Sequence, residues 1–177
     1  LARLRPVPAP RVLDLGTGSG CVAITVALQC PAARVRAVDR CPAALDVARR
    51  NARQLGARVD FALGDWMDGV DGCFDLIVAN PPYVADGDPH LRDLRYEPVQ
   101  ALAAGADGLD ALRQIVAAAP ARLAPGGRLA VEHGHDQGAA VRDLFAAAGF
   151  IDIETVRDLS GLERVCAGSV APAAGNR

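Results

Sequence analysis

Asn80-Pro81-Pro82-Tyr83 is the stretch of this chain whose residue types could take part in chemistry most directly. Consecutive prolines fix φ and carry no backbone N–H, so the backbone here is stiff, extended and outside any sheet ladder. The proline carbonyls keep lone pairs for a guest. Asn80 adds a side-chain amide and Tyr83 an aromatic ring. Such a set suits a flat, conjugated NH2 group, whose two hydrogens can go to oxygen acceptors and whose plane can lie against a ring. The preceding run, residues 76–79, is apolar and partly β-branched, which reads as a strand buried on both faces. The four residues therefore leave a strand at its carboxyl end.

A second set lies nearer the amino terminus. Gly16-Thr17-Gly18-Ser19-Gly20 follows a short apolar strand and precedes an apolar helix. The dinucleotide fingerprint is G-x-G-x-x-G. Here the spacing is G-x-G-x-G, and Asp14 stands two residues before the first glycine. A pyrophosphate near Asp14 would meet like charge in a partly dry site, whereas an ammonium or sulfonium would be attracted. S-adenosylmethionine (SAM) carries both cations and no phosphate, and the glycines allow close backbone approach to its amino-acid part. Asp39 ends the next strand, where an acid commonly holds ribose hydroxyls; that choice suits NAD and SAM equally. Asp65 could accept from an adenine amino group and Trp66 could pack on or beside the ring. Each also has a plain structural reading, Asp65 as a turn or cap residue and Trp66 as core. Taken together with the proline loop, these residues favour SAM over NAD.

The elements that must position these groups follow from periodicity. Strands are expected over 11–15, 34–38, 58–63 and 74–79, with helices over 21–29 and from Pro42 to a cap at Gly56. Leu45, Ala48, Ala52 and Leu55 should line the buried face of the second helix. Strands alternating with helices point to a parallel sheet with right-handed crossovers. The long irregular stretch 84–105 reads as a lid beside the proline loop. A third helix is expected from about Gly108 with Asp107 as N-cap, Pro120 ending it, and Pro125-Gly126-Gly127 as a turn before a strand over 128–132. A fourth helix over 137–148 and an antiparallel strand pair over 150–156 and 163–167 complete the pattern. Residues 1–10 read as a linker, 11–169 as the one folded domain and 170–177 as a frayed tail.

Composition narrows the classes. Hydrophobic residues make up 51% and charged residues 23% of the 177, an ordinary globular balance. A net charge of −2 gives no basic footprint, so direct nucleic-acid binding is not expected, nor is a membrane partner. All 19 basic residues are Arg, which excludes a P-loop or Schiff-base lysine. The five cysteines form no C-x-x-C pair and read as reduced residues of a cytoplasmic protein. His90, His133 and His135 lack metal-ligand spacing, so no metal is expected.

Several stretches together resemble the catalytic domain of class I SAM-dependent methyltransferases, and among them the release-factor glutamine methyltransferases (the HemK/PrmC family). They are residues 13–20, 37–40, 64–66, 80–84, 88–91, 95–98, 105–110, 132–138 and 158–165. The proline loop alone is shared with enzymes that methylate adenine or cytosine amino groups; the 88–98 and 132–138 stretches narrow the resemblance. It implies an α/β, Rossmann-like three-layer sandwich whose seven-stranded, mostly parallel sheet has its last strand antiparallel. It implies SAM contacts at Gly16 to Gly20, Asp39, Trp66 and Asn80. It implies a target glutamine, from the Gly-Gly-Gln tip of a peptide-chain release factor, held by Asn80, Pro81, Pro82 and Tyr83. Family members carry an N-terminal helical domain to which nothing here corresponds. The chain is expected to act as a monomer. Glu97 is a candidate lid or substrate contact, and Glu132 a candidate holder of a lid amide. The rival readings are a glutamine methyltransferase of a ribosomal protein, an adenine methyltransferase of nucleic acid, and a SAM-binding module without catalysis.

Overall fold

The computed structural model describes residues 7–85 and 105–173. The 84–105 lid apart from its ends, His90, Glu97 and the termini 1–6 and 174–177 lie outside the described residues. Seven strands form one sheet in the order β3-β2-β1-β4-β5-β7-β6. β1 (Arg11–Leu15), β2 (Arg34–Asp39), β3 (Val59–Leu63), β4 (Phe74–Ala79) and β5 (Leu123–Glu132) run parallel. β7 (Glu163–Ser169) pairs antiparallel with both β5 and β6 (Ile151–Arg157). This is the Rossmann-like α/β architecture, with the last strand reversed. Among the described residues no helix is long and apolar enough to cross a membrane.

Strand order places β1 and β4 side by side at the centre, with Asp14 beside Val78 and Leu15 beside Ala79 in register. The glycine turn and the proline loop thus leave the same end of adjacent strands. The central strands are buried on both faces because helices cover both. Val12 packs with Ala23 and Val26 of α1 (Cys21–Gln29). Leu13, Leu15 and Ile77 face the opposite layer, with Leu112 and Ile115 of α3 (Asp110–Ala118) and Val141 and Phe145 of α4 (Gly138–Ala147).

Several expectations need correction. The 125–127 turn lies inside β5, which begins at Leu123; a register shift between Phe74 and Leu76 on the partner strand absorbs it. α3 starts at Asp110, and Asp107 instead accepts the Leu109 N–H (3.1 Å) and pairs with Arg113, because Gly108 at φ +72° breaks the helical path between them. In α2 (Pro42–Leu55), Leu45, Ala48 and Ala52 are buried, but Leu55 in the last turn is 58% exposed. Just past β7, in the stretch assigned to the tail, the Val170 N–H donates to the Gly127 carbonyl and the Ala171 carbonyl accepts the Gly126 N–H. At the linker end, the Pro10 carbonyl accepts the Arg34 N–H. In β6, one extra residue between Ile151 and Glu154 makes a bulge, with Asp152 at φ +50°.

Candidate active site

A cleft of about 410 Å³ opens at the carboxyl ends of β1, β2, β3 and β4, where open α/β sheets bind ligands. Gly16, Gly18 and Ser19 of the glycine turn line it, with Asp39, Asp65 and Trp66. Asn80 and Pro82 complete the rim on the β4 side. Eight of the residues singled out from the sequence thus share one cavity. Asp14, Thr17, Gly20, Pro81 and Tyr83 are not part of its wall. A larger groove, about 1150 Å³, lies at the opposite end of the sheet among Arg34, Arg36 and Arg58. It is remote from both motifs.

Asp14 is buried, at 3% exposure, beneath the glycine turn. Its Oδ2 accepts the Thr17 hydroxyl at 2.7 Å and the Ala23 N–H at 3.1 Å, tying the turn to the start of α1. Burial pushes its pKa up to about 6; the two hydrogen bonds oppose the rise and the Asp39 charge adds to it. Asp39 ties the same turn from β2: its Oδ2 accepts the Gly18 N–H and its Oδ1 the Cys41 N–H, each at 2.8 Å. Each oxygen keeps a further lone pair, and Asp39 lines the cleft. Gly20 leads into α1 at φ +85°, where a Cβ would fall 2.9 Å from Ile24 Cδ1 and 3.1 Å from Ala48 Cβ. Only glycine lets the turn close so near both helices.

Asp65 is exposed at the cleft mouth. Trp66 holds φ +48°, a conformation that costs a bulky residue of order 1–3 kcal/mol. Its indole lies against Gly16 and packs on the core, so the core and ligand-wall readings both apply to this one side chain.

On the β4 side, Asn80 is exposed and Pro81 buried. Tyr83 packs on the core, and its hydroxyl donates to Glu132 Oε1 at 3.3 Å. Glu132 thus holds Tyr83; the lid amide expected as its partner lies outside the described residues. His133 is fully buried with Nδ1 2.7 Å from the Gly134 carbonyl, and His135 is exposed. Among the described residues no cluster of His, Cys, Asp or Glu could hold a metal.

Sequence reasoning missed several contributors. Arg40, Cys41, Ala44 and Val47 line the cleft from β2 and α2; the turn after Asp39 was the available signal. Asn51 Nδ2 donates to the Ser19 carbonyl at 2.9 Å from 32 residues away, a contact no local pattern announces.

A sheet of this order, with a glycine turn after its first strand and an acid closing its second, defines a Rossmann-like ligand-binding domain. The family model of the methyltransferase small domain matches residues 1–95, and the chain belongs to that family. It is 53% identical over 172 residues to the release factor glutamine methyltransferase of Xylella fastidiosa (strain 9a5c), covering 95% of this chain and 62% of that protein. Against the release factor glutamine methyltransferase of Neisseria gonorrhoeae the identity is 54% over 163 residues, covering 89% and 60%. The chain therefore spans about three-fifths of the length of these curated relatives. A methyltransferase structure from Pyrococcus furiosus shares the fold, with a TM-score of 0.72 at 18% identity over 96% of this chain and 80% of that one.

Proposed function

We propose that this protein methylates the side-chain amide nitrogen of the glutamine in the Gly-Gly-Gln tip of peptide-chain release factors, using SAM. One observation supports it above the others: Asn80 and Pro82 share a cleft with the glycine turn, Asp39 and Trp66. The names of the relatives point the same way.

The residues present fit SAM. Asp39 offers its remaining lone pairs to ribose hydroxyls, Asp65 an acceptor for the adenine amino group, and Trp66 an apolar wall. Gly16 to Gly20 give close backbone access, and a Cβ on Gly18 would project into open space. Asp14 carries a carboxylate below this turn whose Oδ1 makes no hydrogen bond among the described residues, an attraction for the cationic end of the cofactor. When bound, SAM supplies an electrophilic methyl group.

The chain's own task is to make a poor nucleophile react. A carboxamide lone pair is delocalised into its carbonyl. In this reading Asn80 Oδ1 and the Pro81 carbonyl accept the two hydrogens of the target NH2, which fixes its plane and supports charge developing on nitrogen. Pro82 stiffens the loop and Tyr83 walls the slot. The protein acts as a monomer in the cytoplasm, with the release factor as its partner. Mixing protein, SAM and a purified release factor, then reading the Gly-Gly-Gln peptide by mass spectrometry, tests this. One added methyl on that glutamine is expected; methyl on duplex DNA or a ribosomal protein instead, or none anywhere, would overturn it.

A further inference from the structure

The chemistry proposed above requires the backbone of the proline loop to be held still; Pro81 is buried and the Tyr83 ring packs on the core, but these side-chain contacts do not by themselves fix the backbone at the loop's exit. Two prolines donate no hydrogen bonds, and Asn80 is exposed. Gln137, the residue preceding α4, adds a hydrogen bond to that backbone. Its Nε2 donates to the Tyr83 carbonyl at 3.0 Å and to the Asp107 carbonyl at 3.1 Å. Its Oε1 accepts the Gly134 N–H at 2.8 Å. One carboxamide thus joins three segments far apart in sequence: the exit of the proline loop, the turn before α3, and the turn between β5 and α4.

The surroundings are built for this side chain. Gln137 occupies the N-cap position of α4, and its own N–H donates to the Gly134 carbonyl at 3.0 Å, so the root of the side chain is fixed. Gly108, at φ +72°, lies so close that a Cβ would meet the Tyr83 carbonyl oxygen at 2.3 Å and Gln137 Nε2 at 2.7 Å. No other side chain leaves room for the amide to reach both carbonyls. A glutamate in place of Gln137 would lose both donors and turn a carboxylate oxygen against two carbonyl oxygens.

We propose that Gln137 is a positioning residue for methyl transfer: by pinning the Tyr83 carbonyl it sets the aim of the Asn80 and Pro81 acceptors. This rests on the function proposed above. Gln137 does not line the cleft, and its hydrogen bonds go to Tyr83, Asp107 and Gly134, so its loss should spare cofactor binding.

The test compares Gln137→Glu and the uncharged, similarly shaped Gln137→Met with the parent protein. Hydrogen exchange of the peptide containing Tyr83, Val84 and Ala85 is expected to rise at least tenfold in both variants, with β4 and β5 peptides unchanged. With release factor as substrate, kcat is expected to fall ten- to a hundredfold, while KM and SAM affinity stay within threefold. Unchanged exchange would overturn the clamp. Altered exchange with parental kcat, or an equal fall in SAM affinity, would overturn the positioning role. Gly134→Pro removes the N–H that orients the amide and sets a Cβ 3.0 Å from Gln137 Oε1, so it disturbs the same carboxamide from its other end and should lower kcat in the same direction; parental kcat there counts against the proposal. A parent protein that transfers no methyl defeats the function proposed above; the exchange measurement then decides the clamp alone.

Discussion

Asn80 is exposed while its neighbour Pro81 is buried, so one residue offers a side chain to a guest while the next anchors the loop. Replacing Asn80 by Ala removes one of the two proposed acceptors and little else. Turnover should fall 10²- to 10³-fold, the cost of losing a preorganised polar group. SAM affinity, by calorimetry, should change less than fivefold; near-parental turnover would refute the scheme. Asp14 gives a prediction of a different kind. Its carboxyl titrates at about 6 rather than 3.8, so folding favours the protonated form. The stability it contributes is fully present below pH 3.8 and lost as pH rises through about 6, roughly 3 kcal/mol across that window. Asp14→Asn keeps an acceptor for Thr17 and Ala23 but cannot ionise. Its stability relative to the parent should therefore climb by about that amount between pH 3.8 and 7 in urea unfolding, and a flat difference would show that Asp14 titrates normally.

At the scale of elements, the reversed pair β6–β7 joins the parallel sheet through a charge as well as a ladder. Arg128 of β5, 10% exposed, reaches Ser169 of β7 at 3.3 Å and pairs with Glu154 of β6, which is 50% exposed. Removing Glu154 leaves a largely buried guanidinium short of its counter-ion. Glu154→Ala should cost about 1–3 kcal/mol, less than a fully buried pair because Glu154 is half in water, and Arg128→Met should cost less. Urea midpoints for the two variants check this; the reverse ranking would show that the pair contributes nothing. The strands and helices were largely legible because each depends on its own period: β1, α1 and β4 fall at the boundaries the residues suggest. Pro125-Gly126-Gly127 misled because a bulge can carry turn residues through a strand. Asp107 misled because the cap rule is local, and Gly108 delays the helix to meet a distant carbonyl. The cleft's polar residues were legible from strand ends. Asn51, which holds Ser19 of the cleft, and Gln137, which bonds the Tyr83 carbonyl outside it, were not, since they act across 32 and 54 residues.

For the whole molecule, the fold brings the two motifs to one end of adjacent strands, and ligand binding should therefore be felt throughout. SAM at a hundred times its Kd should raise the unfolding free energy by about 2.7 kcal/mol, and NAD should not. Thermal unfolding with each ligand distinguishes them, and equal shifts would return the glycine turn to the dinucleotide binders. The sheet also has two outer strands, β3 and β6, each hydrogen-bonded on one side only among the described residues. An unpaired strand edge is a template on which a second copy can build. β3 is only five residues long. On β6 the extra residue at Asp152 breaks the even spacing of outward N–H and C=O groups and puts an acid at the break. A stray copy arriving there finds no straight row to zip onto, so the irregularity guards this edge against fibrous self-assembly.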